Sequence, residues 1–124
     1  MKTLIAAAKV AQRRAHAPYS KFRVGAALLT ESGKIITGCN VENASYGLTI
    51  CAERVALTKA VSEGHRKFQA IAVVAPAARL SPCGACRQVL AEFGDMSVIC
   101  ADSRKKDSAR VYRLSELLPH AFKL

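Results

Sequence analysis

Five side chains that bind metals, move protons or carry a fixed positive charge fall in two short segments of the chain. The segment LTICAERVAL contains a thiol, a carboxylate and a guanidinium in a span of four residues: Cys51, Glu53 and Arg54. Two further thiols, Cys83 and Cys86, lie three residues apart in SPCGACRQVL. Three thiolates would fill three of the four positions of a tetrahedral zinc ion. The residue types therefore predict a zinc centre with an acid and a cation beside it.

The two cysteines of the second segment are ambiguous on their own. Cys83 and Cys86 fall on one turn of a predicted helix, so their thiols face the same way. Such a pair is either half of a structural zinc site or a redox pair. Cys51 also precedes a predicted helix, and two helices that start at one edge of a sheet would bring all three thiols together. The positive end of the helix that carries Cys83 and Cys86 would favour the thiolate form that binds metal.

The fourth ligand position separates a structural zinc site from a catalytic one. A fourth protein ligand would close the site, whereas an open position admits a water. None of the three histidines stands at ligand spacing from the cysteines: His16, His65 and His120. Cys39 and Cys100 lie inside apolar segments, which is typical of buried inert thiols. The sequence therefore favours an open, catalytic site.

Glu53 and Arg54 have roles that suit such a site. Zinc lowers the pKa of a bound water to about 7, and Glu53 could take the proton and deliver it elsewhere. Three thiolates and one Zn²⁺ carry a formal charge of about −1, which Arg54 would offset from beside the sulfurs. The alternative is that Glu53 pairs with Arg54 or Lys59 on an exposed turn.

Length and composition indicate one domain over residues 1–124, with enough apolar residues for a core, at 51% of the chain. No apolar run approaches the roughly 18 residues that cross a bilayer. Charged residues interrupt the first apolar segment, unlike the core of a secretory signal, so we expect a cytoplasmic protein without a membrane anchor. Five cysteines in such a protein do not indicate a disulfide framework.

The net charge of +10, from 19 basic and 9 acidic residues, raises the possibility of nucleic-acid binding. The basic residues are scattered, however, and aromatic residues make up only 6% of the chain, without tryptophan. Stacking platforms for single strands need aromatic side chains. The charge therefore favours a solvated basic surface.

Hydrophobic periods and turn residues predict helices packed on a mixed five-stranded sheet, an α/β fold. The predicted elements are a helix over 3–17 that Pro18 ends, a hairpin with strands over 22–30 and 35–43, a helix over 51–63, a strand over 70–76, a helix over 81–94 with Ser81 as N-cap, strands over 97–102 and 111–114, and a short helix from Ser115.

The order Cys-Ala-Glu followed by Pro-Cys-x-x-Cys matches the zinc deaminase signature in its three-cysteine form. The wider sequence resembles the small homotetrameric cytidine deaminases of nucleoside salvage. The similarity covers nearly the whole chain and is carried by YSKFRVGAAL, GCNVENASYG, CAER, SPCGACRQVL and LSELLPHAF. It implies a three-layer α/β/α sandwich, one Zn²⁺ per chain held by the three cysteines, and Glu53 as the catalytic acid and base.

The resemblance also implies how a nucleoside is held. Phe22 would lie beside it, and Asn40 and Glu42 would hydrogen-bond the ribose hydroxyls. The backbone around Ala44 and Tyr46 would come from a neighbouring subunit.

The resemblance gives the last aromatic side chain a role in another subunit. Phe122 would stack on the pyrimidine bound by a neighbour, so that the active sites of a homotetramer are shared. One departure from the family is Arg23, which follows Phe22 where these enzymes often carry proline.

The sequence thus predicts hydrolytic deamination of cytidine and 2′-deoxycytidine to the uridines, with release of ammonia, in pyrimidine salvage. One alternative is a deaminase of another aminopyrimidine nucleoside, such as a blasticidin-S-type antibiotic. Others are deamination of cytidine within a nucleic acid, and a structural zinc module in which Glu53 is idle.

Overall fold

A mixed five-stranded β-sheet with helices on both faces organises the protein, which a computed structural model describes over residues 1–124. The strands are β1 (Gly25–Thr30), β2 (Ile35–Cys39), β3 (Phe68–Ala75), β4 (Ser97–Asp102) and β5 (Arg110–Arg113), in the spatial order β2-β1-β3-β4-β5. The helices are α1 (Lys2–Gln12), α2 (Ala52–Ser62), α3 (Gly84–Ala91) and α4 (Leu114–Leu117). The predicted α/β fold and the order of its elements are confirmed. None of the helices has the length and apolar character that crossing a bilayer requires.

Strand direction determines where the helices begin. β1 is antiparallel to both of its neighbours, β2 and β3, so those two strands run the same way. The chain therefore leaves β2 and β3 at the same edge of the sheet. It enters α2 after the first and α3 after the second. This topology brings the N-termini of α2 and α3 to one edge, as the sequence argument required.

The two faces of the sheet carry separate apolar cores. On one face, Leu4 and Ala8 of α1 pack in a cluster rich in alanine. On the other face, Leu57 of α2 and Leu90 of α3 pack with Ile71 of β3. Each fully buried leucine contributes roughly 1.5–3 kcal/mol to the free energy of unfolding. The helices are thus held to both faces by burial, which makes three layers.

The first helix and the hairpin are shorter than predicted. α1 ends at Gln12 instead of residue 17, because the backbone of His16 pairs with the segment after β2: its N–H donates to Asn40, and its carbonyl accepts from Glu42. β1 begins three residues late, at Gly25, because the side chain of Asn40 binds the backbone of the preceding segment. β2 likewise ends at Cys39 and not at residue 43.

The start of α3 also differs from the prediction. Its N-cap is Cys83, not Ser81, and its last residue is Ala91. The hydroxyl of Ser81 instead accepts a hydrogen bond from Arg87, 2.8 Å away. Gly94 adopts φ of 96° in the turn that follows the helix, a conformation that glycine adopts without strain.

A glycine allows α2 to approach the sheet closely. A Cβ at Gly38 of β2 would lie 2.6 Å from the carbonyl oxygen of Ala52 and 2.5 Å from the nitrogen of Ala56. Both are backbone atoms of α2, which cannot move without moving the helix. The position of α2, and of the residues at its N-terminus, therefore depends on the missing side chain.

We predict that Gly38→Ala destabilises the protein by about 1–3 kcal/mol, the usual range for overpacking a core. Urea unfolding of the two proteins measures the difference. Gly84→Ala is the control, since nothing lies within 4 Å of its added Cβ. Equal stability of Gly38→Ala and the wild-type protein would contradict this account of how α2 is placed.

Candidate functional site: a three-thiol centre

Three cysteines meet at the sheet edge where α2 and α3 begin. Cys51 is the N-cap of α2 and Cys83 is the N-cap of α3, where its sulfur accepts from the N–H of Cys86 at 3.5 Å. The sulfur of Cys83 lies 4.0 Å from that of Cys51 and 3.4 Å from that of Cys86. All three sulfurs lie within 4.8 Å of one another. The predicted convergence of the three thiols is confirmed.

These distances fit a zinc ion. Thiolates bound tetrahedrally at about 2.3 Å from zinc lie about 3.8 Å apart, close to the separations found here. The cluster contains no fourth cysteine, histidine or carboxylate ligand. Three protein ligands leave one coordination position open, which is the arrangement of catalytic zinc sites.

The charge of the cluster also favours a bound cation. Hydrogen bonding with Cys86, followed by the contact with Arg54, lowers the pKa of Cys51 to about 5. The same pairing raises the pKa of Cys86, because a second thiolate beside the first is repelled and Cys86 is buried. Without a metal the raised pKa of Cys86 favours the protonated form of that thiol. A divalent cation would stabilise all three thiolates.

Arg54 is the positive group beside the sulfurs. Its Nη2 donates to the sulfur of Cys51 and to the carbonyl of Thr49, at 3.5 Å each. The bond to Cys51 raises the pKa of the guanidinium, and Cys86 acts in the same direction. Its Nε is buried and makes no hydrogen bond. The guanidinium is thus oriented toward the thiols, and the alternative of a surface pair with Glu53 does not describe it.

Glu53 is a buried carboxyl group in the first turn of α2. Only 5% of its surface is exposed, and burial raises its pKa to about 7. The negative charge of Cys51 acts in the same direction, whereas Arg54 lowers the pKa. The structure contains no ion pair between Glu53 and Arg54 or Lys59. A buried acid with a pKa near neutrality can both accept and release a proton.

Two of the predicted substrate residues support the loop that leads into β1. The side chain of Asn40 is buried, donates to the carbonyl of Phe22 at 2.8 Å and accepts from the N–H of Val24 at 2.9 Å. The carboxylate of Glu42 accepts from the backbone and hydroxyl of Ser20, which lowers the pKa of Glu42. Phe22 is 38% exposed. Their ribose contacts stay a prediction.

The residues predicted to serve a neighbouring subunit lie on the surface. Ala44 is exposed, and Tyr46 and Phe122 are 73% and 72% exposed. Tyr46 packs against Tyr19 edge to face, with ring centroids 5.8 Å apart. Large aromatic rings this exposed are available to contact another molecule.

Sequence reasoning missed Arg87, which supports the loop that carries Cys83. Its Nε donates to the carbonyl of Pro82 at 2.8 Å, and its Nη1 donates to the carbonyl of Leu117 at 2.7 Å. The loop before Cys83 is therefore tied to the C-terminal helix. The only signal in the sequence was the place of Arg87 one turn after Cys83, on the face of the helix that the thiol occupies.

Comparisons with known proteins agree with this site. Residues 1–102 match the family model described as the cytidine and deoxycytidylate deaminase zinc-binding region. The chain is 51% identical over 123 residues to a cytidine deaminase of Sporosarcina psychrophila, covering 98% of this chain and 90% of that one. It is 59% identical over 102 residues to a probable cytidine deaminase of Dictyostelium discoideum, covering 81% and 69% of the two chains. The crystal structure of cytidine deaminase from Burkholderia pseudomallei superposes with a TM-score of 0.93 at 51% identity, covering 98% of both chains.

We predict that the purified protein carries about one zinc per chain and that Cys83→Ala removes it, since two thiols rarely hold zinc tightly. Elemental analysis gives the metal content. Chelation should lower the thermal stability of the wild-type protein and leave the variant unchanged. The control is Cys39→Ala, which removes a half-buried thiol of β2 that is not in the cluster. Full zinc content in Cys83→Ala would exclude this ligand set.

Proposed function

The chain belongs to the cytidine and deoxycytidylate deaminase family, and we propose that it hydrolyses cytidine and 2′-deoxycytidine to uridine and 2′-deoxyuridine. Water adds at C4 of the pyrimidine, the C4–N4 bond breaks, and the amino group leaves as ammonia. Residues 1–124 act as one catalytic domain in this proposal. Its place in metabolism is pyrimidine salvage, and its predicted location is the cytoplasm.

The observation that carries the proposal is the burial of Glu53 beside three thiols. Burying a carboxyl group costs free energy unless the group is paired or has a function. A structural zinc site gives a carboxyl group buried beside it no function. In a deaminase the same carboxyl group transfers protons in both the addition of water and the loss of ammonia. The raised pKa of Glu53, about 7, matches the pH at which it must both take and give a proton.

Cys51, Cys83 and Cys86 would hold the zinc ion, which when bound supplies a Lewis acid that makes a water nucleophilic at neutral pH. Glu53 takes a proton from the attacking water and delivers it to N3 of the pyrimidine. It then takes the remaining proton of the hydroxyl added at C4 and delivers it to N4, so that the C4 carbonyl forms as the C4–N4 bond breaks and ammonia leaves. Arg54 offsets the negative charge of the thiolates, which would otherwise oppose ionisation of the water.

The nucleoside lies against the loop that precedes β1. Phe22 contacts it with a partly exposed ring. Asn40 and Glu42 hydrogen-bond the ribose hydroxyls, because each keeps hydrogen-bonding capacity beyond its bonds to the loop. Asn40 has a second amide N–H, and the carboxylate of Glu42 has further lone pairs. Because the same two side chains hold the loop, binding the sugar and ordering the loop are linked.

The active enzyme is a homotetramer with shared sites in this proposal. Support comes from exposed apolar side chains on the segment that leads from β2 to Cys51, where the backbones of Val41 and Ile50 also pair: Val41, Tyr46, Leu48 and Ile50, with Phe22 on the loop before β1 as a fifth. Contiguous apolar patches on a protein surface mark interaction sites. The backbone around Ala44 and Tyr46 and the ring of Phe122 would each complete the site of a neighbour.

We predict that Glu53→Gln retains zinc and the fold but loses at least roughly 10²–10⁴-fold in kcat, because the amide has nearly the same shape and cannot shuttle protons. Cytidine turnover and metal content are measured on the same preparation. Glu63→Gln, at the exposed C-terminal end of the same helix, is the matched control. Normal turnover by Glu53→Gln would reduce Glu53 to a structural acid and refute the proposed chemistry.

Shared sites predict complementation between two inactive chains. One carries Glu53→Gln, and the other is truncated before Leu118 and so lacks Phe122. Hybrid tetramers contain some pockets with Glu53 from one chain and Phe122 from another, and activity should return on mixing. Each chain mixed with itself is the control. If native mass spectrometry detects hybrids and activity stays absent, Phe122 serves its own subunit.

A further inference from the structure

The C-terminal segment (residues 118–124) is held in place with little help from the core. No residue after Leu114 is buried. A cleft of about 400 Å³ lies between the segment and the end of α3, lined in part by Leu118 and Ala121. Apolar packing of the segment is limited to half-buried side chains such as Leu118 and Ala121, so hydrogen bonds contribute much of what determines where Phe122 lies.

The hydrogen bonds at Phe122 are a pair from one side chain of α3. The Nε2 of Gln88 donates to the carbonyl oxygen of Phe122 at 3.1 Å, and the Oε1 of Gln88 accepts from the N–H of Phe122 at 3.2 Å. Backbone groups have fixed polarity, so this pairing also fixes which way the amide is oriented. These two bonds are the only hydrogen bonds that residues 119–124 make.

The residue before Gln88 anchors the other end of the segment. Arg87 donates to the carbonyl of Leu117 at 2.7 Å and also holds the loop of Cys83 through Pro82. Both anchors thus follow directly after Cys86 on the same helix. The short helix that carries two of the three thiols, at its N-cap and in its first turn, thus also holds the backbone at both ends of the C-terminal segment.

We propose that Gln88 is a positioning residue for substrate binding: its side-chain amide fixes the backbone of Phe122 and so directs the ring toward the pocket that it completes. This inference rests on the proposed role of Phe122. Without the two hydrogen bonds the ring samples many positions, and the entropy of ordering it must then be supplied when substrate binds. Substrate affinity falls, while the thiols and Glu53 are untouched.

Two substitutions at this position test the two bonds. Gln88→Met keeps the length of the side chain and removes both bonds. Gln88→Glu keeps the acceptor for the N–H of Phe122 and loses the donor to its carbonyl. Gln69→Met is the matched control, because Gln69 also donates to backbone carbonyls, those of Thr30 and Glu31, at the opposite edge of the sheet.

Hydrogen exchange of the Phe122 amide gives a readout independent of activity. With zinc-loaded protein, Gln88→Met should speed this exchange by about tenfold, the effect expected when one or two exposed hydrogen bonds are lost. Gln88→Glu should also increase the exchange rate of the Phe122 amide, and Gln69→Met should leave that rate unchanged. Unchanged exchange in Gln88→Met would overturn the proposal at its first step.

Steady-state kinetics on cytidine test the second step. Both Gln88 variants should raise KM, by about tenfold for Gln88→Met, with kcat within about twofold of wild type and zinc content unchanged. Faster exchange together with an unchanged KM would show that the two hydrogen bonds of Gln88 order the segment without contributing to substrate binding, which overturns the proposal. Inactivity of the wild-type protein on cytidine would instead refute the proposed function, and hydrogen exchange would still decide whether Gln88 holds Phe122.

Discussion

Three cysteine sulfurs lie within 4.8 Å of one another, and as thiolates they would repel, so the structure around them must oppose that repulsion. Two helices begin at the cluster, so their positive ends face the sulfurs. A guanidinium, Arg54, lies beside them and donates to one. Hydrogen bonding with Cys86, followed by the contact with Arg54, lowers the pKa of Cys51, whereas the pKa of Cys86 is raised, so a divalent cation would stabilise the fully ionised cluster. Metal binding and proton release are therefore linked at this site.

The same arrangement explains why an acid can be buried next to the thiols. Glu53 follows Cys51 by two residues and points into the interior, where desolvation raises its pKa to about 7. A more exposed acid would be fully ionised at neutral pH and poor at returning a proton. A more buried one would stay protonated. The fold sets the degree of burial through the position of α2, and that position depends on a bare glycine in β2, at Gly38.

Much of the site could be predicted from the sequence because its chemistry is local. The spacing of Cys83 and Cys86 and the order Cys-Ala-Glu at Cys51 are short-range features, and apolar periods placed both on helix starts. The features that could not be predicted from the sequence depend on side chains that hydrogen-bond segments distant in the sequence. The side chain of Asn40 binds the backbone of a residue eighteen positions earlier, so β1 begins later than predicted. The hydroxyl of Ser81 accepts a hydrogen bond from Arg87, and Cys83 caps α3 instead. Local propensity contains no information about such partners.

The central claim is that this metal centre deaminates a free nucleoside, and one spectrophotometric assay tests it most directly. Zinc-loaded protein and chelator-treated protein are each given cytidine, 2′-deoxycytidine or a short cytosine-containing oligonucleotide, and the ultraviolet band of cytosine is followed together with released ammonia. The account predicts loss of the band with equimolar ammonia for both nucleosides, only with zinc-loaded protein, and no change in the oligonucleotide. Deamination of the oligonucleotide alone, or full nucleoside activity after the metal has been removed, would contradict it.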